Sequence, residues 1–328
     1  MANKVLNWGL LSTARINSAL ITPLRASKRN SLLAVASRTQ ESADNYAREW
    51  EISRAYGSYE ALLADPEIDV IYNPLPNHLH AEWTIKALEA GKHVLCEKPF
   101  ALNVEDVDAM QAAARKQGRV LTEAFMYRHH PQTLKVQELV KSGSIGTLKF
   151  VRGSFSFLLT REGDIRLDPT MGGGSIWDVG CYPISYARSV IGGNPFEVFG
   201  WQVTGRTGVD ETFVGQMRFD HDVYAQFDCS FAVPLRAFME IVGSEGVLNV
   251  PTPFKPQTNE KIFLTRGDQT ETIKIKGQEL YIGEVEDIAD AILLGREPRI
   301  SLEDSRTNVA TILALLESAR SGKPVKIN

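Results

Sequence analysis

The hydrophobic pattern of the chain changes character near its middle. In the first third, short apolar runs alternate with segments whose apolar residues recur at helical spacing. Val5 to Leu11 predicts a strand and Ala14 to Ser27 a helix; Leu32 to Ser37 and Glu41 to Trp50 repeat the pair. Ser58 caps a short helix through Leu63, and Val70 to Asn73 is another strand, bounded by Pro74 and Pro76. Asn77 reads as an N-cap, with Leu79, Trp83, Ala87 and Leu88 on one face and Gly91 as the stop. After a strand from His93, Asn103 caps a helix that buries Val104, Val107 and Met110 and ends at Gly118; Val120 to Thr122 closes the series. Such alternation implies right-handed βαβ units around a parallel sheet.

From Lys149 the period becomes two. Val151, Phe155, Phe157 and Leu159 oppose Arg152, Ser154 and Ser156. Phe213, Met217 and Phe219 repeat the pattern, as do Val223, Ala225, Phe227, Cys229 and Phe231, with His221-Asp222 as the turn between them. Phe238 to Val242, Val247 to Val250, Lys261 to Thr265 and Thr272 to Lys276 add strands. Ile282, Val285, Ile288, Ala289, Ile292 and Leu293 form one helical face, and a last helix opens at Ser301, with Asp304 three residues on, and stops at Gly322. The expected fold is an α/β domain with a parallel sheet over residues 1–126, then an α+β domain over 127–328 with a large open, mainly antiparallel sheet. Such a sheet buries one face on helices. Its other face, where Tyr224 stands among Gln226 and Asp228, is a candidate dimer surface.

Composition narrows the function classes. A chain of 328 residues, 43% hydrophobic and 23% charged, fits two ordinary globular domains. A formal charge of -4 gives no basic field for nucleic acid or an anionic membrane. Cys96, Cys181 and Cys229 are too few and scattered for a disulfide framework or zinc site, which fits a reducing, cytoplasmic setting. No apolar run approaches the ~18 residues of a membrane span. The piece Trp8-Gly9-Leu10-Leu11 reads as a first strand rather than a signal peptide. His78, His129 and His130 have no carboxylate at ligand spacing, so no metal site is expected.

Four stretches carry chemistry. His93 to Pro99 runs from a buried strand into Glu97-Lys98-Pro99, placing a lysine at the carboxyl end of a strand, where α/β sheets bind ligands; a surface Glu-Lys pair is the plain alternative. The turn after the first strand reads Ser12-Thr13-Ala14-Arg15-Ile16 and lacks the glycines of a dinucleotide fingerprint, yet its small residues permit close approach of an anion to a helix N-terminus. The second strand ends in Ser37-Arg38-Thr39. A hydroxyl and a guanidinium suit a 2′-phosphate, favouring NADP, while nearby Glu41 keeps NAD open. Gly172-Gly173-Gly174-Ser175 offers close backbone approach and a helix cap; Asp178 and Tyr182 then share a face, and Pro183 kinks the helix. The alternative for this insert is a hinge loop with a surface acid and a core tyrosine.

Together these residues resemble the Gfo/Idh/MocA oxidoreductases over essentially the whole chain. The resemblance rests on Glu97-Lys98-Pro99, on Pro76-Asn77-His78-Leu79-His80, on Glu123 to Pro131, and on the three glycines with Asp178, Gly180 and Tyr182. Where the family more often has histidine this chain has Tyr182, and where it more often has aspartate this chain has Ser185, as in the branch of sugar and dihydrodiol dehydrogenases. The resemblance implies a dinucleotide-binding Rossmann domain, Lys98 and Tyr182 as the proton-handling pair, and Asp178 as a partner of the substrate hydroxyl or of Lys98. It implies a cis bond at Pro99. It places Leu75, Asn77, His80 and Glu97 on the cofactor, the last three beside the nicotinamide, Arg128 and Arg166 toward cofactor or substrate, and Tyr281 over the cofactor.

The leading expectation is therefore an NADP-dependent dehydrogenase of a sugar or polyol carbinol such as C1 of an aldose, assembled as a homodimer or higher homo-oligomer through the C-terminal sheet. A trans-dihydrodiol dehydrogenase, or an anhydro-sugar reductase, is the alternative on the same site. An inactive NADP-binding regulator is the alternative from another class; it has no need of Lys98, Asp178 and Tyr182 together.

Overall fold

The computed structural model describes residues 4–327. The chain divides into two compact units: residues up to Met126 with Tyr281–Arg306, and Tyr127–Leu280 with the residues from Thr307 onward. The first unit holds β1 (Leu6–Leu11), α1 (Asn17–Ala26), β2 (Asn30–Ala36), α2 (Gln40–Glu49), β3 (Arg54–Tyr56), α3 (Tyr59–Leu63), β4 (Val70–Asn73), α4 (His80–Glu89), β5 (His93–Glu97), α5 (Val104–Gln117) and β6 (Leu121–Ala124). Its six strands are all parallel, in the order β3-β2-β1-β4-β5-β6. The order reverses between β1 and β4, the crevice where open α/β sheets take ligands beyond the carboxyl ends of their strands.

Local signals account for most of these boundaries. Thr39, Ser58 and Asn103 accept from the first turns of α2, α3 and α5, and Gly118 ends α5 with φ +61. Two helix starts lie three residues downstream of the sequence pattern. α1 begins at Asn17 rather than Ala14, because Ser12 takes φ +83 and the chain turns once more before the helix. α4 begins at His80, after a 3-10 turn over Asn77–Leu79, and no side chain caps its first turn.

The second unit contains α6 (Pro131–Lys141), β7 (Leu148–Ser156), α7 (Cys181–Ile191), β8 (Glu197–Thr204), β9 (Asp210–Phe219), β10 (Val223–Ser230), β11 (Arg236–Gly243), β12 (Val247–Val250), β13 (Asn259–Arg266) and β14 (Gln269–Lys276). The remaining elements are α8 (Ile282–Leu294), α9 (Leu302–Ser321) and β15 (Val325–Lys326). Nine strands form one open sheet, β14-β13-β12-β11-β7-β10-β9-β8-β15, antiparallel except where β10 runs parallel to β7. One face buries Phe213, Met217, Ala225, Phe227, Val151 and Ile241; Gly153 of β7 makes room for Pro183, and Gly180 makes room for Cys229 of β10, so that α7 and the turn before it pack closely on this face. The opposite face leaves Trp201, Val203, Val214 and Tyr224 between 42% and 63% exposed.

The helix of Ile282–Leu294 packs with the first unit rather than with the second half of the chain that contains it. Val285, Ile288 and Ala289 lie in one core with Leu20, Leu24, Trp8 and Tyr72. Arg29, beside β2, bonds Glu286 and reaches Asp290 at 2.5 Å, and Ser27 Oγ donates to Glu286 at 2.6 Å. Truncating Ile288 to Ala is expected to destabilise the first unit by about 2–5 kcal/mol, the usual loss for a buried Ile. Hydrogen exchange should show the effect in β1 and α1, with β9 and β10 unchanged.

Candidate active site

The first unit fixes a short loop at the carboxyl end of β5. Glu97 accepts from the Tyr72 hydroxyl at 2.5 Å through one oxygen and from the Lys98 amide at 3.2 Å through the other. Lys98–Pro99 is cis. The Pro99 carbonyl is met by His80 Nδ1 at 2.8 Å, and the Phe100 amide donates to Glu123 at 3.0 Å. Three side chains from β5, α4 and β6 therefore hold the backbone on both sides of a half-buried Lys98.

His80 does something different from what its motif implies. Its ring is 1% exposed, and its second nitrogen sits 2.7 Å from the Leu75 carbonyl. Burial pushes its pKa down to about 4, aided by the nearby Lys98 cation and opposed by the two carbonyls. A neutral imidazole carries one N–H, so the tautomer decides which contact is the hydrogen bond. The imidazole is spent on backbone. It ties the Leu75 turn to the Pro99 turn, and Asn73, which accepts from the Leu75 amide and donates to the His80 carbonyl, braces the same corner. Neither Asn73 nor Glu123 stood out individually in the sequence.

The turn after β1 tests whether a dinucleotide phosphate fits. Ser12 at φ +83 occupies a backbone region that glycine adopts most cheaply, and Asn17 holds it by donating to the Ser12 carbonyl at 2.8 Å. Ser12 Oγ is buried without a hydrogen-bond partner among the described residues, and no side chain caps α1. An unpartnered hydroxyl beside an uncapped helix N-terminus is the donor set a phosphate needs. Thr13, Thr39, Glu41 and Ser42 line a depression of about 350 Å³ between the ends of β1 and β2. Ser37 is buried, its amide donating to the Tyr56 carbonyl at 2.9 Å, and Arg38 beside it is exposed. Ala14, Arg15 and Ile16 complete the turn, and Tyr281 packs against the core of the same unit.

In the second unit the glycine-rich insert serves the chain's own backbone. A Cβ on Gly173 would collide with the carbonyls of Arg166 and Asp168, and one on Gly174, at φ +127, would land on Asp210. That close packing brings Arg166 Nε within 2.7 Å of Asp178 Oδ2, while Asp164 takes its Nη1 at 3.2 Å. Arg166 therefore holds Asp178. Its own pKa is shifted upward: burial opposes the shift, and the two carboxylates outweigh it. Arg128, 8% exposed, donates to Ser185 Oγ at 3.0 Å.

Asp178 and Tyr182 sit on one helix, but Pro183 does not simply kink it. A π turn over Ile176–Gly180 precedes the α-helical stretch, and widening the helix there accommodates a residue with no N–H to give. Tyr182 is 6% exposed, edge-on to Phe155 at 5.2 Å and to Phe254 at 5.5 Å, with the Tyr127 ring at 5.7 Å. The aromatic cage fixes the ring plane. Lys98 lies in the first unit; Asp178, Tyr182, Arg128 and Arg166 lie in the second.

Known proteins share this architecture. Residues 6–125 match the model of the oxidoreductase family with the NAD-binding Rossmann fold, and residues 133–249 match the GFO/IDH/MocA C-terminal domain. D-xylose 1-dehydrogenase (NADP(+)) 2 of Haloferax volcanii is 37% identical over 98% of this chain and 99% of its own. A trans-1,2-dihydrobenzene-1,2-diol dehydrogenase of Danio rerio is 36% identical over 75% of this chain and 74% of its own. Among solved structures, an aldose-aldose oxidoreductase from Caulobacter crescentus superposes with a TM-score of 0.92 at 26% identity, covering 98% and 100% of the two chains. A 3-ketoreductase from Actinomadura kijaniata, solved with NADP and TDP-benzene, gives 0.91 at 29% identity, covering 96% and 98%. Matched along nearly its whole length in sequence, and built on the same two folds, the chain is an oxidoreductase of the Gfo/Idh/MocA family.

Proposed function

We propose that the protein is an NADP-dependent dehydrogenase that oxidises a ring or chain carbinol of a sugar or polyol, with C1 of an aldose as the leading position. The observation that carries this reading is the locked backbone around Lys98 at the carboxyl end of β5, with Glu97, His80 and Glu123 as its braces. A residue that only decorates a surface needs no such support.

NADP, when bound, supplies the hydride acceptor. Tyr182 takes the proton of the carbinol as its C–H bond breaks, and Lys98, as a cation, favours the phenolate that does so. Asp178, kept in place by Arg166, accepts from a neighbouring hydroxyl and so orients the carbon that loses hydride. Ser12, with the amides of the following turn, receives the pyrophosphate, and Arg38 with Ser37 receives the 2′-phosphate. Leu75, Asn77 and Glu97 flank the nicotinamide half. The relatives named for xylose, for aldoses and for a dihydrodiol support this class of substrate, and the dihydrodiol relatives keep a cyclic trans-diol as the second reading. The exposed face bearing Trp201, Val203, Val214 and Tyr224 is the proposed surface for a second copy of the chain.

The test is a panel of aldoses, polyols and trans-diols assayed in parallel with NADP and NAD, alongside NADPH fluorescence. An aldose or polyol should be oxidised with NADP preferred. Tight NADPH binding with no change in reduced-nicotinamide absorbance for any of these compounds would instead identify a regulator. Arg38→Ala should raise KM for NADP about tenfold or more, the loss of a charge-assisted contact, with little change for NAD. Equal effects on both cofactors would remove Arg38 from the 2′-phosphate.

A further inference from the structure

The helix that carries Asp178 and Tyr182 has no local cap. Ser175, which opens it and reads in the sequence as its cap, accepts nothing from the first turn. Its hydroxyl donates instead to Asp210 Oδ2 at 2.6 Å, and the Ile176 amide donates to the same oxygen at 2.8 Å. Asp210 is the first residue of β9 and only 4% exposed. Gly174 leaves it room, since any Cβ there would occupy the place of Oδ1. A glycine, a serine and a distant acid thus form one unit around the start of the helix.

We propose that Asp210 is a positioning residue: by holding the Ser175 hydroxyl and the Ile176 amide on one buried oxygen, it sets the start of the π turn and so the placement of Asp178 and Tyr182. The catalytic consequence rests on the proposed function; the structural one does not. Among the described residues no cation pairs with Asp210, and leaving a carboxylate so buried is expensive. A neutral cap would do for a helix that only has to form. An ionised acceptor makes bonds about twice as strong and fixes the donors more tightly.

Burial pushes Asp210 up to about 6, and the bonds from Ser175 and Ile176 limit the rise. The groups facing it are those two donors and, on β10, Cys229, whose sulfur is 3.5 Å from Ser175 Oγ and whose thiol burial keeps neutral. Asp228 is turned to the other face of the sheet, bonded to Ser154 and Arg236. The clamp is therefore charge-assisted above about pH 6 and keeps only a weaker, neutral acceptor below it. Because the folded pKa is raised, charging Asp210 lowers global stability between the ordinary carboxylate range and about 6, and Asp210→Asn should not lower stability at pH 8.

Hydrogen exchange and steady-state kinetics on the full chain test this, using Asp210→Asn and Asp210→Ala. Exchange of the Ile176–Tyr182 amides should rise about tenfold or more in both variants, with α6 and β11 unchanged. The wild type should show the same loosening below about pH 6, beyond the intrinsic pH trend, and the Asn variant should lack that step. Turnover should fall with NADPH affinity unchanged. Should Asp210→Ala fail to fold, the pH step and its absence in the Asn variant still decide. Unaltered exchange with no step in the wild type overturns the inference. A normal exchange response in a wild type that oxidises no sugar or diol overturns the proposed function and leaves this inference standing.

Discussion

The backbone of residues 98–100 is held to the elements beneath it by three side chains, and the placement of Lys98 depends on that grip. The cis Lys98–Pro99 segment is gripped at three consecutive backbone positions, by Glu97 at the Lys98 amide, His80 at the Pro99 carbonyl and Glu123 at the Phe100 amide. Each brace is itself rooted: Glu97 on the buried Tyr72 hydroxyl, His80 on the Leu75 turn, Glu123 on β6. A lysine side chain is long and flexible; what limits the wandering of its ammonium group is how well its Cα is held. Register does the rest, since Asn73 pairs with Cys96 and Glu97 with Ala124, which brings the ends of β4, β5 and β6 to one edge.

The second unit reaches a similar end by different means. Its sheet supplies a hard floor of interlocked aromatic and aliphatic side chains, on which the Tyr182 ring is caged by Phe155, Tyr127 and Phe254. The glycines of the insert let carbonyls and a carboxylate approach so closely that Arg166 falls beside Asp178. Glycine there serves the protein's own packing before it serves any ligand.

Much of this was legible in the chain. Period-3.6 and period-2 stretches marked the two halves, Asn103, Ser58 and Gly118 gave helix ends, and His221-Asp222, both at positive φ, gave a hairpin turn. What escaped follows a pattern. β8 carries Val198 inward but Phe199, Trp201 and Val203 outward, so its apolar residues mark the less buried face rather than the core. β3 is three residues long, too short for any period. The attachment of α8 to the first unit depends on contacts to Leu20, Leu24 and Arg29, more than 250 residues away, which no local pattern encodes. In the site, the motif picked out His80 but not what its ring does, because a histidine beside a ligand and one buried between two carbonyls look identical in sequence. The capping role of Asp210 was not legible because a cap is normally sought next to its helix, not on a strand 34 residues downstream.

In the proposed reaction Lys98 and Tyr182 act on the same proton, and a double-mutant cycle on turnover tests that coupling. Lys98→Ala and Tyr182→Phe, singly and combined, should each cut kcat by about 10²–10⁴-fold while leaving NADPH binding intact. The double variant should fall little below the worse single one, because groups that act as a unit are strongly non-additive. Losses that multiply in the double variant, or wild-type turnover in either single one, would contradict the account.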